Sequence, residues 1–251
     1  MIIIKSEDEI RKISKASKIV AEILAKLGDF IKPGITTKDL ELFSESLIKQ
    51  SGGTPAFKGY RGYPSSLCVS INNEVVHGIP SAKRVLKEGD IVSVDIGVIH
   101  KGFIGDAAKT YAVGKIKQEA KRLLTVTEEA LYKGIKEVKT TKRVSDISHA
   151  IQSYVESNGY SVVKAFVGHG VGRELHEEPQ IPNYGAPNKG PRLKRGMVLA
   201  IEPMVNIGGH EVRILDDGWT AITEDGTLSA HFEHTVLVTE GEPEVLTAWK
   251  N

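Results

Sequence analysis

Apolar side chains recur at helical spacing through Ile10, Ile13, Ala16, Val20, Ile23, Leu24 and Leu27. That spacing gives one buried helix face. Ser6 with Glu9 reads as a capping box at its start, and Gly28 as its stop. Pro33-Gly34 is a turn, and Thr37 is expected to cap a second helix with Leu40, Phe43, Leu47 and Ile48 inward. This helix should end at Ser51-Gly52-Gly53. Residues 54–67, rich in Gly, Pro, Tyr and Phe, read as a loop. Residues 69–80 hold a strand, a polar Asn72-Asn73-Glu74 turn and the stretch Val75-Val76-His77-Gly78. Residues 91–98 and 103–111 predict a hairpin joined near Lys101-Gly102. Helical periodicity returns over 119–138. Ser145 is expected to cap a further helix closed by Asn158-Gly159. From Ser161 onward, strands alternate with glycine turns.

The pattern repeats. Lys87-Glu88-Gly89-Asp90-Ile91-Val92-Ser93-Val94-Asp95 matches Lys194-Arg195-Gly196-Met197-Val198-Leu199-Ala200-Ile201-Glu202 at an offset of 107. The offset sets Asp95 on Glu202, Gly102 on Gly209, and Asp39-Leu40 on Asp146-Ile147. Repeats of this kind constrain topology before any single element does. The expectation is one domain, 1–251, built of two helix–helix–hairpin halves, approximately 1–115 and 116–251. A pseudo-two-fold assembly would make Asp95 and Glu202 face each other near its axis.

Composition narrows the class. The 251 residues allow a sizeable core. Lys plus Arg is 33 against 32 for Asp plus Glu, so no global field favours nucleic acid or an anionic membrane. The single cysteine, Cys68, permits no intrachain disulfide and suits a reducing compartment. Met1-Ile2-Ile3-Ile4-Lys5 is too short for a signal segment, and no run approaches membrane-spanning length. A cytoplasmic monomer is the expectation.

Against this neutral background, a few polar residues stand out. Asp95 lies among Ile91, Val92, Val94 and Ile96. A lone carboxylate there is costly, so it must be paired or hold a metal. If Lys101-Gly102 is a two-residue turn, Asp95 and Asp106 are diagonal neighbours on one hairpin face, with Cα atoms roughly 7–8 Å apart. Glu202 and Glu233 are likewise acids in apolar strands. His169 sits between Gly168 and Gly170, where the backbone can press close around an open site. Each alone has an ordinary reading, as an ion pair, an edge-strand charge or a loop histidine. Together they offer four carboxylates and one imidazole. That donor set suits Mn²⁺, Fe²⁺, Co²⁺ or Zn²⁺ better than a thiolate site would. The four negative charges balance two divalent cations, and a water between such ions can ionise near neutral pH.

Several runs extend the pattern: Glu74-Val75-Val76-His77-Gly78-Ile79-Pro80, Asp95 with Asp106, the stretch from Gly168 to Glu178, Ile201-Glu202-Pro203-Met204, and Phe232-Glu233-His234-Thr235. In order and spacing they closely resemble type I methionine aminopeptidases, over nearly the whole chain. The resemblance implies an α+β pita-bread fold, two pseudo-symmetric halves with a curved antiparallel sheet covered by helices. It implies removal of initiator methionine from nascent polypeptides with a small second residue, the free N-terminal amine binding one metal. Asp95 would be a terminal ligand of one ion, His169 and Glu202 terminal ligands of the other, and Asp106 and Glu233 bridges. Glu202 would also be the general base. His77 and His176 would bind substrate backbone and oxyanion. Phe57, Tyr60, Tyr63, Cys68 and Trp219 look similar to the family's methionine pocket, and aromatics with a thiol suit a thioether. Two positions depart from the pattern: Leu175 stands where many members have an aromatic, and Phe57 where some bacterial members have a cysteine.

Rival readings carry less. X-Pro peptidases of this fold usually bear an extra N-terminal domain, and only about 65 residues precede the first site strand. Type II methionine aminopeptidases carry a long insertion for which there is no room between His169 and Glu233. A non-catalytic ribosome- or RNA-binding relative would lose ligands and gain basic patches, whereas here the ligand positions are filled and the net charge is +1. Cys68 has no base placed to make it a nucleophile. The resemblance leaves room for transient ribosome contact through Lys12, Lys15 and Lys18, with no membrane and no specific nucleic acid as partner.

Overall fold

The computed structural model describes residues 1–249. Its first half contains α1 (Glu7–Phe30), α2 (Thr37–Gln50), β1 (Thr54–Pro55), β2 (Cys68–Ile71), β3 (Glu74–Val76), β4 (Ile91–His100) and β5 (Phe103–Ala112). Then come α3 (Gln118–Lys136), α4 (Val144–Ser157), β6 (Ser161–Val162), β7 (Gly168–Gly170), β8 (Glu177–Ile181), β9 (Val198–Ile201) and β10 (Met204–Asn206). The chain closes with β11 (Val212–Ile214), β12 (Ala221–Thr223), β13 (Ser229–His231), β14 (His234–Leu237) and β15 (Glu244–Val245).

The capping box of α1 is present: Ser6 Oγ accepts from Glu9 N, and the Glu9 carboxylate accepts from Ser6 N. Gly28 does not stop this helix, which continues to Phe30. A Cβ at Gly28 would lie 2.9 Å from the Tyr111 ring, so the glycine exists to let that ring lie against the helix. The Tyr111 hydroxyl then donates to Leu24 O at 2.6 Å.

Two caps differ from expectation for one reason. The cap of α2 is Thr36, not Thr37, and the cap of α4 is Arg143, not Ser145. In each case an aspartate three residues on turns back to the cap backbone. Asp39 accepts from Thr36 N and Asp146 from Arg143 N, both at 2.7 Å. That reciprocal bond satisfies a donor the helix start leaves free. Thr37 instead bonds the Ser81 backbone, and Ser145 donates to Lys189 O. The expected loop over 54–67 contains β1 and a single 3₁₀ turn, Tyr60–Gly62.

Thr36 and Arg143 are 107 residues apart, and the same interval recurs in what they touch. Thr36 bridges to Val85, and Arg143 to Arg192. Leu86 N donates to Ile35 O, and Leu193 N to Lys142 O. Helices α2 and α4 are in the same relation.

On one edge β4 pairs with β2 and β1, and on the other with β5. A second sheet runs β15-β14-β9-β7-β8, and shorter ones run β13-β10-β6 and β11-β12-β3. Two large apolar clusters fill the space between helices and sheets. One joins α1 and α2 to Val92, Val94, Ile96 and Val98 of β4. The other joins α3 and α4 to Leu199, Ile201 and Val205. With helices on one side only, the opposite face of β4, β5, β9 and β14 is left to build a cleft. No helix among the described residues is long and apolar enough to cross a membrane.

Candidate metal centre and substrate cleft

The hairpin turn sets the first two acids. Asp95 pairs with Ala108 and Gly97 with Asp106, so the two carboxylates are diagonal neighbours on one face. Glu202 follows directly on β9, and Glu233 directly precedes β14, rather than lying within those strands. Strand β9 lies between β14 and β7, with Ala200 opposite both Thr235 and His169.

The second-half segment is laced to β5 by three contacts. Thr235 Oγ1 donates to Asp106 O at 2.7 Å, Glu233 N donates to Ala108 O at 2.8 Å, and Thr110 Oγ1 donates to His231 O at 2.8 Å. These bonds bring Glu233 against Asp106 although they come from different halves of the chain. Donor atoms of Asp106, His169 and Glu233 all fall within 4.8 Å of one another. His169 Nε2 is 3.3 Å from Glu202 Oε1 and 4.0 Å from Asp106 Oδ2.

The tautomer of His169 follows from its other nitrogen. Nδ1 donates to Gly170 O at 2.9 Å, and a carbonyl can only accept. Nε2 is therefore the ring nitrogen turned into the acid cluster. That is the arrangement a metal-ligating imidazole adopts.

These residues fit a divalent cation. Asp106 and Glu233 are buried, and Asp95 is half-buried. Asp95 Oδ1, Asp106 Oδ1 and Glu233 Oε1 have no hydrogen-bond partner. Burial raises the pKa of all three, and repulsion from neighbouring acids adds to it: Glu202 on Asp95, Asp95 and Glu202 on Asp106, Asp106, Glu202 and Asp95 on Glu233. Unpaired acid oxygens converging with an imidazole lone pair would repel in the absence of positive charge.

Above this floor opens a cavity of about 540 Å³. Asp95, Asp106, His169, Glu202 and Glu233 line it, as do His77, His176, Phe57, Tyr60, Tyr63, Cys68 and Trp219. The Tyr63 hydroxyl donates to Leu67 O and Gly78 O, and its ring meets Trp219 edge-on at 5.1 Å. Trp219 is fixed by Asp217, which accepts its backbone N at 2.8 Å. Phe57 lies over Gly97, where a Cβ would come within 2.6 Å of its ring. Cys68 is buried opposite Asp95 in the β2–β4 pairing. Burial first, then Asp95, push its thiol pKa well up, so it is an apolar wall and not a nucleophile.

The two remaining histidines stand clear of the acids. His77 has φ 62 and packs edge-on against Phe166 at 5.3 Å, and burial lowers its pKa. His176 meets the His169 ring edge at 4.3 Å and bonds the Tyr60 hydroxyl. Desolvation, then the His169 ring, depress its pKa. Both are therefore neutral hydrogen-bonding groups at neutral pH.

The family model for metallopeptidase family M24 matches residues 11–240. The chain belongs to metallopeptidase family M24. Among M24 relatives, the methionine aminopeptidase of Clostridium perfringens is 53% identical over 250 residues, covering 100% of both chains. Methionine aminopeptidase 1 of Bacillus subtilis is 56% identical, over 98% of this chain and 99% of its own. The crystal structure of methionine aminopeptidase from Thermotoga maritima superposes with TM-score 0.97 at 53% identity, covering 98% of this chain and 99% of that one. The fold is the pita-bread fold of this family. M24 membership also implies use of divalent metal, which agrees with the orphaned acid oxygens.

Sequence reasoning left out two further cleft residues, of which His231 is the first. It is buried, lines the cavity, and its Nε2 is 3.9 Å from Glu202 Oε2 with no hydrogen-bond partner. His231 closes β13 two residues before Glu233, so proximity in sequence to a predicted ligand was the one available signal. Phe166 was also missed, and no local pattern marks it.

Proposed function

We propose that this chain is a type I methionine aminopeptidase, releasing methionine from peptide N-termini that carry a small second residue. What supports this most is the meeting of a cation-demanding acid floor, two neutral imidazoles and an aromatic-lined slot in one cavity. The full-length likeness to methionine aminopeptidases points to the same chemistry.

In this reading Asp95, Asp106, His169, Glu202 and Glu233 hold two divalent ions drawn from Mn²⁺, Fe²⁺, Co²⁺ or Zn²⁺. When bound, such ions supply Lewis acidity to the scissile carbonyl and acidify a water. Glu202, half-buried at the cleft floor, takes the proton from the attacking water and returns it to the leaving amine. His77 and His176 donate to substrate backbone and to the oxygen that gains charge. Tyr63 and Trp219, locked edge to face, with Phe57, Tyr60 and Cys68, form the slot for the methionine side chain. The anionic floor favours a substrate that brings a free amine. Transient ribosome contact is confined to Lys15 and Lys18, which are exposed, since Lys12 is half-buried and paired with Asp8.

The test is methionine release from Met-Gly-Met-Met and from Lys-Gly-Met-Met, using chelator-treated protein with Mn²⁺, Fe²⁺ or Co²⁺ added back. Cleavage of the first peptide alone, restored by metal, is expected. No cleavage with any ion by folded protein would sink the catalytic reading.

A further inference from the structure

Tyr60 forms part of the side-chain slot, yet its hydroxyl does not face a substrate group. It bonds His176 Nδ1 at 2.8 Å. We propose that Tyr60 is a positioning residue that donates to His176 Nδ1 and so holds His176 as the Nε2–H tautomer. This rests on the peptidase reading for its catalytic consequence, but the tautomer itself does not.

The direction of the bond follows from chemistry. A phenol is the stronger donor of the pair, and an imidazole nitrogen the stronger acceptor. Among the described residues the Tyr60 hydroxyl makes no other hydrogen bond. With Nδ1 occupied as acceptor, a neutral His176 keeps its one proton on Nε2. That proton is what a carbonyl oxygen gaining negative charge requires. The opposite tautomer would present a lone pair to the same oxygen and repel it.

Both partners are held from behind. Tyr60 opens a tight turn in which Tyr60 N donates to Phe57 O, and Tyr63 N to Tyr60 O, each at 2.9 Å. Gly59 and Arg61 take φ of 85 and 49 to make that turn, and the Arg61 guanidinium lies over the Tyr60 ring at 5.4 Å. On the other side Arg173 N donates to Glu177 Oε1 at 2.9 Å, fixing the loop that carries His176. Glu177 is in turn held by Lys5 in a buried ion pair. These bonds fix the backbone on both sides, and the Tyr60 hydroxyl is the contact that orients the exposed His176 ring.

The arrangement also links two tasks. The substrate side chain packs against the Tyr60 ring, while the hydroxyl of the same ring orients the oxyanion donor. A side chain that fills the slot thus steadies the group that acts on the adjacent carbonyl. Such coupling shows in kcat more than in KM.

The variant Tyr60→Phe keeps the ring and removes only the hydroxyl. For Met-Gly-Met-Met, kcat should fall about tenfold or more, with KM changed by less than about twofold. On metal-free protein, ¹⁵N spectra of His176, assigned by loss of its signals in His176→Ala, should show protonated Nε2 and acceptor Nδ1. In Tyr60→Phe the two nitrogens should move toward a tautomer mixture. Nδ1–H in the wild type would overturn the proposal, as would an unchanged His176 spectrum or unchanged kcat in Tyr60→Phe. Should the wild type release no methionine, the peptidase reading fails and the spectra alone decide the tautomer.

Discussion

Glu202 Oε1 lies 3.3 Å from His169 Nε2, joining the end of β9 to the middle of β7. With Nδ1 of His169 committed to Gly170 O, Nε2 is the ring nitrogen left to face Glu202. The contact sets a ring nitrogen beside a carboxylate oxygen, where both can serve one cation. Replacing Glu202 by Gln keeps shape and removes the base. We expect turnover to fall about 10²–10⁴-fold, with the circular dichroism spectrum unchanged. A Glu202→Gln enzyme within tenfold of wild type would remove Glu202 from the proton path.

Asp95, Asp106 and Glu233 have raised pKa values in the metal-free protein, first through burial and then through one another. The folded state therefore binds their protons more tightly than the unfolded state does. Their contribution is fullest below the ordinary carboxylate range, about pH 4, and is lost as pH rises through the folded values. His231 and His234 act in the opposite sense. Burial depresses each to about 3, so their contribution is present above about pH 6.5 and lost as pH falls. Above about pH 6.5 the histidine contribution no longer changes, while the acid contribution goes on falling as far as the folded acid values reach. Chelated protein should then lose urea stability with rising pH, and Mn²⁺ should restore more at the higher pH. A midpoint that climbs with pH in the chelated protein would contradict this.

Lys5 and Glu177 form an ion pair with side chains only 3% and 5% exposed. Glu177 also accepts from Arg173 N, so the pair ties the N-terminal segment to the loop of His176. Lys5→Met leaves a buried carboxylate without its cation, which costs about 3–5 kcal/mol. Urea unfolding measures it. Adding Glu177→Gln to Lys5→Met should recover part of the loss, and failure to recover any would mean that packing of the lysine stem dominates.

Gly105 on β5 touches the backbone of α1. A Cβ there would lie 2.4 Å from Ser17 N and 2.5 Å from Ser17 Cα. Backbone cannot step aside as a side chain can, so Gly105→Ala must shift the helix off the sheet. We expect a loss of about 1–3 kcal/mol or more, read as a lowered thermal midpoint. A neutral result would show that α1 tolerates displacement along the strand.

Local chemistry made much of this protein legible in its sequence. The helix faces, the β4–β5 hairpin and its register follow from periodicity and from Lys101-Gly102. That register alone makes Asp95 and Asp106 neighbours. The 107-residue interval is likewise visible, because two stretches under the same packing demands keep the same pattern. The caps were misjudged by one or two residues because Thr37 and Ser145 look like caps, while the deciding signal is the aspartate three residues beyond the true one.

Long-range placement was decided by tertiary structure alone. Nothing near Glu233 says that it will meet Asp106. That meeting depends on Thr235, Thr110 and Ala108 bonding across two strands distant in sequence. Gly28 reads as a stop until Tyr111 is seen against it. The Tyr60 hydroxyl reads as pocket wall until His176 arrives from the other half of the chain. Sequence period fixes which face a side chain occupies, since that depends only on its neighbours in the chain. Which two faces then meet depends on how helices and sheets pack together, and the polar contacts of the cleft exist only after that packing.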